Sequence, residues 1–221
     1  MKKYAVIVAA GSGSRMGNQI PKQFLPVLGK PLLLYTLAAF TDAYPDIKIV
    51  LVMHPGFIDK AKEMVSVAGY SAVTVIAGGD TRFDSVKRGL ELVEEDSVVF
   101  VHDGVRCLLT KELIRRCYEA ALEKGNAVPA VASVDSVRIA KETSNEWIDR
   151  NLVRMIQTPQ TFKAHILKYA YAAAVGENFT DDAAVIEHVG EKINLIEGEA
   201  TNIKITHPVD LLIAEMILKG R

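Results

Sequence analysis

Residues 4–9 read Tyr-Ala-Val-Ile-Val-Ala, and residues 10–17 read Ala-Gly-Ser-Gly-Ser-Arg-Met-Gly. The first run is short and apolar at successive positions, which is typical of a buried strand in a parallel sheet. The second run is a glycine-rich turn, where the backbone can approach a ligand closely and N–H groups can cradle phosphate oxygens. This junction predicts an α/β fold whose first strand ends at a phosphate-binding pocket.

Apolar, β-branched runs of the same kind recur at residues 47–53, 73–76, 98–101 and 127–131. The segments between them place apolar residues at helical spacing, which predicts amphipathic helices. Strands that alternate with helices favour a Rossmann-like, mostly parallel sheet with helices on both faces. At 221 residues, a single domain spanning residues 1–221 is expected.

Residues 133–151 break this alternation, because apolar and polar residues alternate there around a polar turn. The pattern predicts a protruding β-hairpin arm. A two-stranded hairpin is barely stable alone, so the arm must pack on something. It either extends the parent sheet or packs against a second subunit, and the pattern favours neither.

The composition excludes several classes of protein. With 49% hydrophobic residues, 24% charged residues and a formal net charge of −1, the chain is neither disordered nor a coiled coil. It also lacks the basic excess expected of a protein that binds bulk nucleic acid or an anionic membrane. No apolar run reaches the roughly 18 residues of a transmembrane helix, and two cysteines are too few for a disulfide framework. We therefore expect a cytoplasmic protein that binds small molecules.

The glycine turn does not match two common nucleotide motifs. A dinucleotide fingerprint needs glycine where Met16 stands and an acidic residue near the end of the second strand, where residues 53–56 read Met-His-Pro-Gly. A P-loop ends in Gly-Lys-Ser/Thr, which this region lacks. A nicotinamide-dependent dehydrogenase is therefore disfavoured.

Two cations follow the first strand. Arg15 lies in the glycine turn, and Lys22 lies in the Pro-Lys-Gln-Phe stretch of the same loop. A lone lysine is usually a solvated charge, but two cations with no acidic residue between them can converge on a triphosphate. The pattern favours that second interpretation.

Residues 78–85 read Gly-Gly-Asp-Thr-Arg-Phe-Asp-Ser and precede a predicted helix. Such a turn can read a nucleobase through main-chain groups of Gly79 and Asp80 and through the hydroxyl of Ser85. Thr81 and Asp84 also have the spacing of a capping box. Both interpretations stay open.

Residues 101–106 read Val-His-Asp-Gly-Val-Arg at the end of the fourth predicted strand, where ligands of open α/β sheets usually bind. Asp103 fits a contact with hydrated magnesium or a ribose hydroxyl, or equally a structural turn. His102 is expected to pack locally. Later in the chain, Thr180 is expected to cap a helix, and Lys204 to lie on a short strand between Ile203 and Ile205.

Taken together, these stretches resemble the 2-C-methyl-D-erythritol 4-phosphate cytidylyltransferase family over essentially the whole chain. The motifs that carry the resemblance are the glycine turn with Arg15, Lys-Gln-Phe at Lys22, Gly-Gly-Asp…Asp-Ser-Val, His-Asp-x-x-Arg, Thr-Pro-Gln, Thr-Asp-Asp-Ala and Asn-Ile-Lys-Ile-Thr. The resemblance implies a magnesium-dependent transfer of CMP from CTP to methylerythritol phosphate, with release of pyrophosphate, in the non-mevalonate isoprenoid pathway.

The resemblance also implies roles for individual residues. Those implied for the CTP site, including its ribose, are Ala9, Ala10, Gly11, Ser12, Gly13, Gly79, Asp80, Ser85, Asp103 and Gly104. Those implied to stabilise charge or to hold the acceptor are Arg15, Lys22, Arg106, Thr158, Thr180 and Lys204. The hairpin resembles the family's dimerisation arm, whose Ser136 and Arg150 would reach the partner's site and hold the acceptor phosphate. No protein ligand of the metal is implied.

This chain departs from the family's pattern at two places. Gly104, Val105 and Cys107 surround the retained Asp103 and Arg106, and Ser136 stands where threonine is common. The alternatives are a ribitol 5-phosphate cytidylyltransferase, which shares the CTP loop, and a nucleotide sensor without catalytic activity. An acceptor phosphate is already a nucleophile at neutral pH, so no catalytic triad is expected and none is visible.

Overall fold

A computed structural model describes residues 1–11, 20–174 and 179–221 of the chain. The strands are β1 (Lys2–Ala9), β2 (Pro26–Val27), β3 (Lys30–Pro31), β4 (Lys48–Met53), β5 (Thr74–Ala77), β6 (Ser97–Asp103), β7 (Asn126–Ala132), β8 (Val137–Ala140), β9 (Asn145–Ile148), β10 (Arg154–Ile156), β11 (Gln160–Lys163) and β12 (Leu195–Glu197). The helices are α1 (Leu32–Ala43), α2 (Ile58–Val67), α3 (Arg82–Leu90), α4 (Lys111–Lys124), α5 (Ala164–Ala173), α6 (Asp182–His188) and α7 (Pro208–Lys219).

The main sheet has the strand order β10-β7-β11-β6-β1-β4-β5, with β12 paired to β7. The strand β1 lies at its centre and runs parallel to β4 on one side and β6 on the other. All five strands predicted from the apolar runs are present, with ends shifted by two residues at most. The predicted Rossmann-like, mostly parallel sheet is confirmed.

The side chains of β1 divide between two cores, because successive residues of a strand point to opposite faces. Ala5, Ile7 and Ala9 join the core that contains α1, α2 and α4. Tyr4 and Val6 join the core that contains α3, α5 and α6. Helices therefore cover both faces, which explains why the central strands are apolar at every position.

The sequence patterns did not predict the antiparallel strand β11. It lies between β6 and β7 and is antiparallel to both. Its four residues include the buried polar side chains of Gln160 and Thr161, so it carries no apolar run. Phe162 of this strand packs into the core, but a single apolar residue does not make a run, and the strand is defined by its pairing with β6 and β7.

The strands β8 and β9 form the predicted hairpin, with Val137 opposite Ile148 and Ala140 opposite Asn145. They form a separate two-stranded sheet, so the alternative in which the arm extends the parent sheet is wrong. Trp147 on this arm is 69% exposed. The short strand predicted around Lys204 is also wrong, because Ile205 N–H donates to the turn carbonyl of Val105 and the segment does not join a sheet ladder.

Candidate active site

A cavity of about 300 Å³ lies at the carboxyl ends of β1 and β6, within the usual size range of small-molecule sites. It is bounded by the end of β1, the loop before α1, the start of α3, the end of β6 and the segment before α7. The lining residues are Val8, Ala9, Ala10, Gly11, Lys22, Gln23, Gly79, Asp80, Thr81, Arg82, Ser85, Asp103, Val105 and Lys204. The predicted site residues Ser12, Gly13 and Arg15 lie outside the described residues.

The loop before α1 is fastened to the end of β1. Gln23 is buried, and its Nε2 donates to the carbonyl of Ala9 over 2.8 Å. The neighbouring Lys22 extends its Nζ to the carbonyl of Ile205, also over 2.8 Å. Lys22 is thus held beside the segment that carries Lys204, and both cations line the same cavity.

The start of α3 combines the two interpretations that the sequence left open. Thr81 and Asp84 form the capping box, with both reciprocal bonds present. Gly79, Asp80 and Ser85 line the cavity at the same time, and Gly79 N–H donates to Ser85 Oγ over 3.1 Å. A Cβ atom on Gly79 would lie 2.3 Å from Asp84 Cβ, so the tight turn requires glycine.

Asp103 is the acidic centre of the cavity. Its Oδ2 lies 2.9 Å from Lys204 Nζ and 3.9 Å from Arg106 Nε, and its Oδ1 lies 3.5 Å from Arg82 Nε. Burial by itself would raise the pKa of Asp103, but these three cations lower it well below its usual range. Asp103 is therefore ionised at neutral pH.

Arg82 and Asp182 belong to this site, and the sequence interpretation missed both of them. Arg82 Nη1 and Nη2 donate to the two carboxylate oxygens of Asp182 over 3.0 and 2.7 Å. Asp182 is fully buried and also accepts a bond from Tyr171 Oη over 2.6 Å. A signal was available in the sequence: a cation in the first turn of a helix opposes the helix dipole and calls for an anionic partner.

The prediction that Thr180 caps α6 is wrong. The capping residue is Asp181, whose Oδ1 accepts from Ala184 N–H over 3.0 Å. A carboxylate interacts more favourably with the positive end of the helix than a hydroxyl does. Thr180 is exposed and does not line the cavity.

Three other predicted residues lie behind the cavity wall. Gly104 N–H donates to the carbonyl of Val8, and Thr158 Oγ1 accepts from the N–H of Asp103. Arg106 Nη1 donates to the carbonyl of Asn202 over 2.7 Å, which ties the end of β6 to the segment before Lys204. These contacts hold the wall in place, and none of the three residues lines the cavity.

His102 packs locally, as expected from the sequence. It is fully buried, and its Nδ1 lies 3.0 Å from Thr158 Oγ1. Burial is the main cause that lowers its pKa to about 3. His102 is therefore neutral at physiological pH and does not face the cavity.

Ser136 and Arg150 lie outside the cavity of their own chain. Ser136 is exposed just before β8. Arg150 is exposed as well, and its Nη1 donates to the carbonyl of Val134 over 2.9 Å.

The described residues fit a metal ion that arrives with a phosphate ligand. Within the described part of the chain, no group of three or more His, Cys, Asp or Glu residues could hold a metal by itself. Asp80 and Asp103 are the carboxylates of the cavity, and both oxygens of Asp103 already face cations. Mg²⁺ commonly keeps several waters and binds through substrate phosphates with few protein ligands, which suits this donor set.

The chemistry of the cavity is that of an anion site. Its described lining carries three cations, Lys22, Arg82 and Lys204, against two carboxylates, and it includes no histidine or cysteine. Such a set can bind and orient two negatively charged reactants. It does not provide the paired base and nucleophile of covalent catalysis.

Residues 4–220 match the family model for 2-C-methyl-D-erythritol 4-phosphate cytidylyltransferase (IspD). The chain is 44% identical to the protein of that name from Bacteroides thetaiotaomicron, covering 99% of this chain and 100% of the relative. It is 41% identical to the one from Porphyromonas gingivalis strain W83, covering 98% of both. The crystal structure of the enzyme from Thermus thermophilus superposes with a TM-score of 0.80 at 34% identity, covering 97% of this chain and 98% of that one.

Proposed function

The chain belongs to the 2-C-methyl-D-erythritol 4-phosphate cytidylyltransferase family, and we propose that its central cavity is where CMP passes from CTP to methylerythritol phosphate. The products of this reaction are 4-diphosphocytidyl-2-C-methyl-D-erythritol and pyrophosphate, in the non-mevalonate isoprenoid pathway. The protein is thus a nucleotidyltransferase. The observation that carries the placement is the convergence of Lys22 and Lys204 on one cavity, although the two residues lie far apart in the sequence.

CTP would occupy the end of β1 and the turn before α3. Ala9, Ala10 and Gly11 line the cavity and would present main-chain groups to the phosphates. The family resemblance adds Ser12 and Gly13 to this proposal, and both lie outside the described residues. Gly79, Asp80 and Ser85 would read the base, and Asp103 and Gly104 would lie near the ribose. The lining positions of Gly79, Asp80 and Ser85 around one cavity support this arrangement.

The acceptor would enter beside Lys204. An oxygen of its phosphate attacks the α-phosphorus of CTP, the bond to the β-phosphate breaks, and pyrophosphate leaves with that electron pair. No proton must be removed from the nucleophile, so the protein contributes by positioning the reactants and by stabilising charge. We propose this role for Lys22, Lys204 and Arg15. Arg106 and Thr158 would support the acceptor side from behind the cavity wall, and Thr180 would act from outside the cavity lining.

We propose Mg²⁺ as the cofactor, which would bind chiefly through the phosphate oxygens and water. When bound, it neutralises part of the charge on the triphosphate. Both oxygens of Asp103 lie near cations, which supports a metal held by the nucleotide.

We also propose one domain over residues 1–221, with residues 133–151 as a dimerisation arm. Trp147 on the arm is largely exposed, and Ile139 is 48% exposed, which leaves apolar surface for a second copy of this chain. Ser136 and Arg150 would reach the partner's cavity. Their positions outside the cavity of their own chain are consistent with action on the partner.

We propose that the protein works in the cytoplasm. Cys107 and Cys117 are buried free thiols, and burial raises their pKa values to about 11 and about 12. Such thiols suit a reducing compartment. Among the described helices, none has the length and apolar character needed to cross a membrane.

Pyrophosphate release tests this function. The protein is incubated with CTP, Mg²⁺ and either methylerythritol phosphate or ribitol 5-phosphate. Release with methylerythritol phosphate is expected, and release with ribitol phosphate alone would overturn the proposed acceptor.

Replacing Lys22 tests the assignment of the cavity. Lys22→Ala is expected to fold normally and to lose on the order of 10²–10³ in kcat, as removal of a preorganised oxyanion donor does. The matched control is Lys62→Ala, on the exposed face of α2, which is expected to keep wild-type turnover. Wild-type turnover by a well-folded Lys22→Ala protein would contradict the assignment.

A further inference from the structure

A chain of charged contacts runs from the buried start of α6 into the cavity. Asp182 has no exposed side-chain surface, and it binds both terminal nitrogens of Arg82. The remaining guanidinium nitrogen of Arg82, Nε, faces Asp103 Oδ1 at 3.5 Å. Arg82 therefore joins α6 to the end of β6.

Bidentate pairing fixes the guanidinium in both position and orientation. Tyr171 Oη bonds to Asp182 Oδ1 as well, so the carboxylate that holds Arg82 is itself held. The ring of Tyr171 stacks on Phe83 with centroids 4.6 Å apart, which anchors this tyrosine to the first turn of α3. Arg82 thus has little freedom to turn towards an incoming ligand.

Lys204 is in the opposite situation, although it shares the same partner. Its ammonium contacts Asp103 Oδ2 at 2.9 Å, and its side chain is 41% exposed, against 23% for Arg82. A lysine has a flexible stem and donors that can rotate. Of the three cations near Asp103, Lys204 has the most exposed side chain and is the one able to move to a phosphate.

Departure of Lys204 has a consequence for Asp103, whose side chain is only 12% exposed. A buried carboxylate that loses its partner is strongly destabilised. Arg106 compensates less than Arg82, because its Nε is 3.9 Å from Asp103 whereas Arg82 Nε is 3.5 Å away. Arg82, fixed in place at 3.5 Å, is the nearer cation that stays beside Asp103, and it shares its charge between Asp103 and Asp182.

We propose that Arg82 is a positioning residue that carries the counter-charge of Asp103 and so releases Lys204 to the phosphates of the substrate. This inference rests on the proposed function, because it takes the nucleotide triphosphate as the ligand that recruits Lys204. The role of Arg82 is exerted through Asp103 and Lys204, not through its own contact with CTP.

The experiment is a double-mutant cycle on CTP binding, measured by calorimetry with Mg²⁺ present. The variants are Arg82→Gln, Lys204→Met and the combination of both. We expect each single change to weaken binding about tenfold and the combination to weaken it about tenfold as well, because residues that act through one pathway are not additive. If the two residues acted independently, the double variant would bind CTP about a hundredfold more weakly than the wild type.

Additive effects would overturn the proposal, since they would mean that Arg82 contributes separately from Lys204. Unchanged binding by Arg82→Gln would overturn it too. The matched control is Arg116→Gln, which removes a surface ion pair with Glu199 and should leave both CTP affinity and the effect of Lys204→Met unaltered. Thermal melting of each variant identifies any loss of folded protein.

Turnover separates this inference from the proposed function. A non-additive binding cycle in a protein that releases no pyrophosphate would uphold the role of Arg82 and reject the reaction. Normal pyrophosphate release together with an additive binding cycle would uphold the reaction and reject the role of Arg82. Absence of CTP binding by the wild-type protein would reject both.

Discussion

The stability of the protein should fall on mild acidification because of His102. In the folded state its ring is fully buried against Phe40, and burial is the main cause that lowers its pKa from 6.5 to about 3. Between these two values the unfolded chain binds a proton that the folded protein does not. Stability therefore rises with pH across this window and is lost as pH falls below about 6.5, by about 1.4 kcal/mol per pH unit.

From pH 7 to pH 5, this one group should lower the free energy of unfolding by about 2 kcal/mol. The measurement is urea denaturation followed by circular dichroism at pH 7, 6 and 5. This range stays above the titration of the carboxylates. Asp103, whose pKa is lowered below its usual value, contributes stability above about pH 4 that is lost only at lower pH.

His102→Gln isolates the contribution of the histidine, because it removes the titrating ring from the same buried position. Its free energy of unfolding should change about 2 kcal/mol less between pH 7 and pH 5 than that of the wild type. His165→Gln, at an exposed position of α5, should keep the wild-type dependence. An equally steep dependence in His102→Gln would refute the reasoning.

Three further outcomes are expected. Asp182→Asn should lower the free energy of unfolding by about 3–5 kcal/mol, because it leaves Arg82 without its buried partner. The exposed ion pair between Lys219 and Glu215 on α7 gives the comparison. Glu215→Gln should lower the free energy of unfolding by about 0.5 kcal/mol or less when both variants are measured by urea denaturation. Gly79→Ala should destabilise the protein by about 1–3 kcal/mol in urea denaturation and weaken CTP binding, because its Cβ meets Asp84; unaltered values would contradict the close packing seen here. Removing divalent metal with a chelator should abolish pyrophosphate release without changing the melting temperature of the nucleotide-free protein, and full activity in chelator would reject the metal.

Much of the fold was predictable because helices cover both faces of the parallel sheet, so its strands are apolar at successive positions and are recognisable in the sequence. The centre of the sheet, β1 with its neighbours β4 and β6, could be located from residues 4–9, 47–53 and 98–101 alone. The strand β11 could not, because two of its three buried residues, Gln160 and Thr161, are polar and only Phe162 is apolar. Its place depends on pairing with strands distant in sequence, and a local pattern does not contain that information.

In the candidate site, too, the local features are predictable from the sequence and the long-range pairings are not. The turn at Gly79 and the capping box that follows it are local features with short spacing, so the sequence predicts them. The pairing of Arg82 with Asp182 spans 100 residues and depends on which carboxylate of the Asp181-Asp182 pair turns inwards. The prediction of Thr180 as the helix cap is wrong for the same reason. Only the packing of α6 decides which of three neighbouring polar residues faces the helix end.

The bond between Lys22 and Ile205 closes a span of 183 residues across the cavity. A growing polypeptide that already contains β1, α1 and β6 still lacks the segment that bears Lys204, and so it lacks one of the cations proposed for catalysis. Recovery of activity during refolding is thus expected to track the arrival of the last long-range contact rather than the appearance of helix. We expect catalytic activity to appear late in folding, because contacts between residues so distant in sequence form slowly.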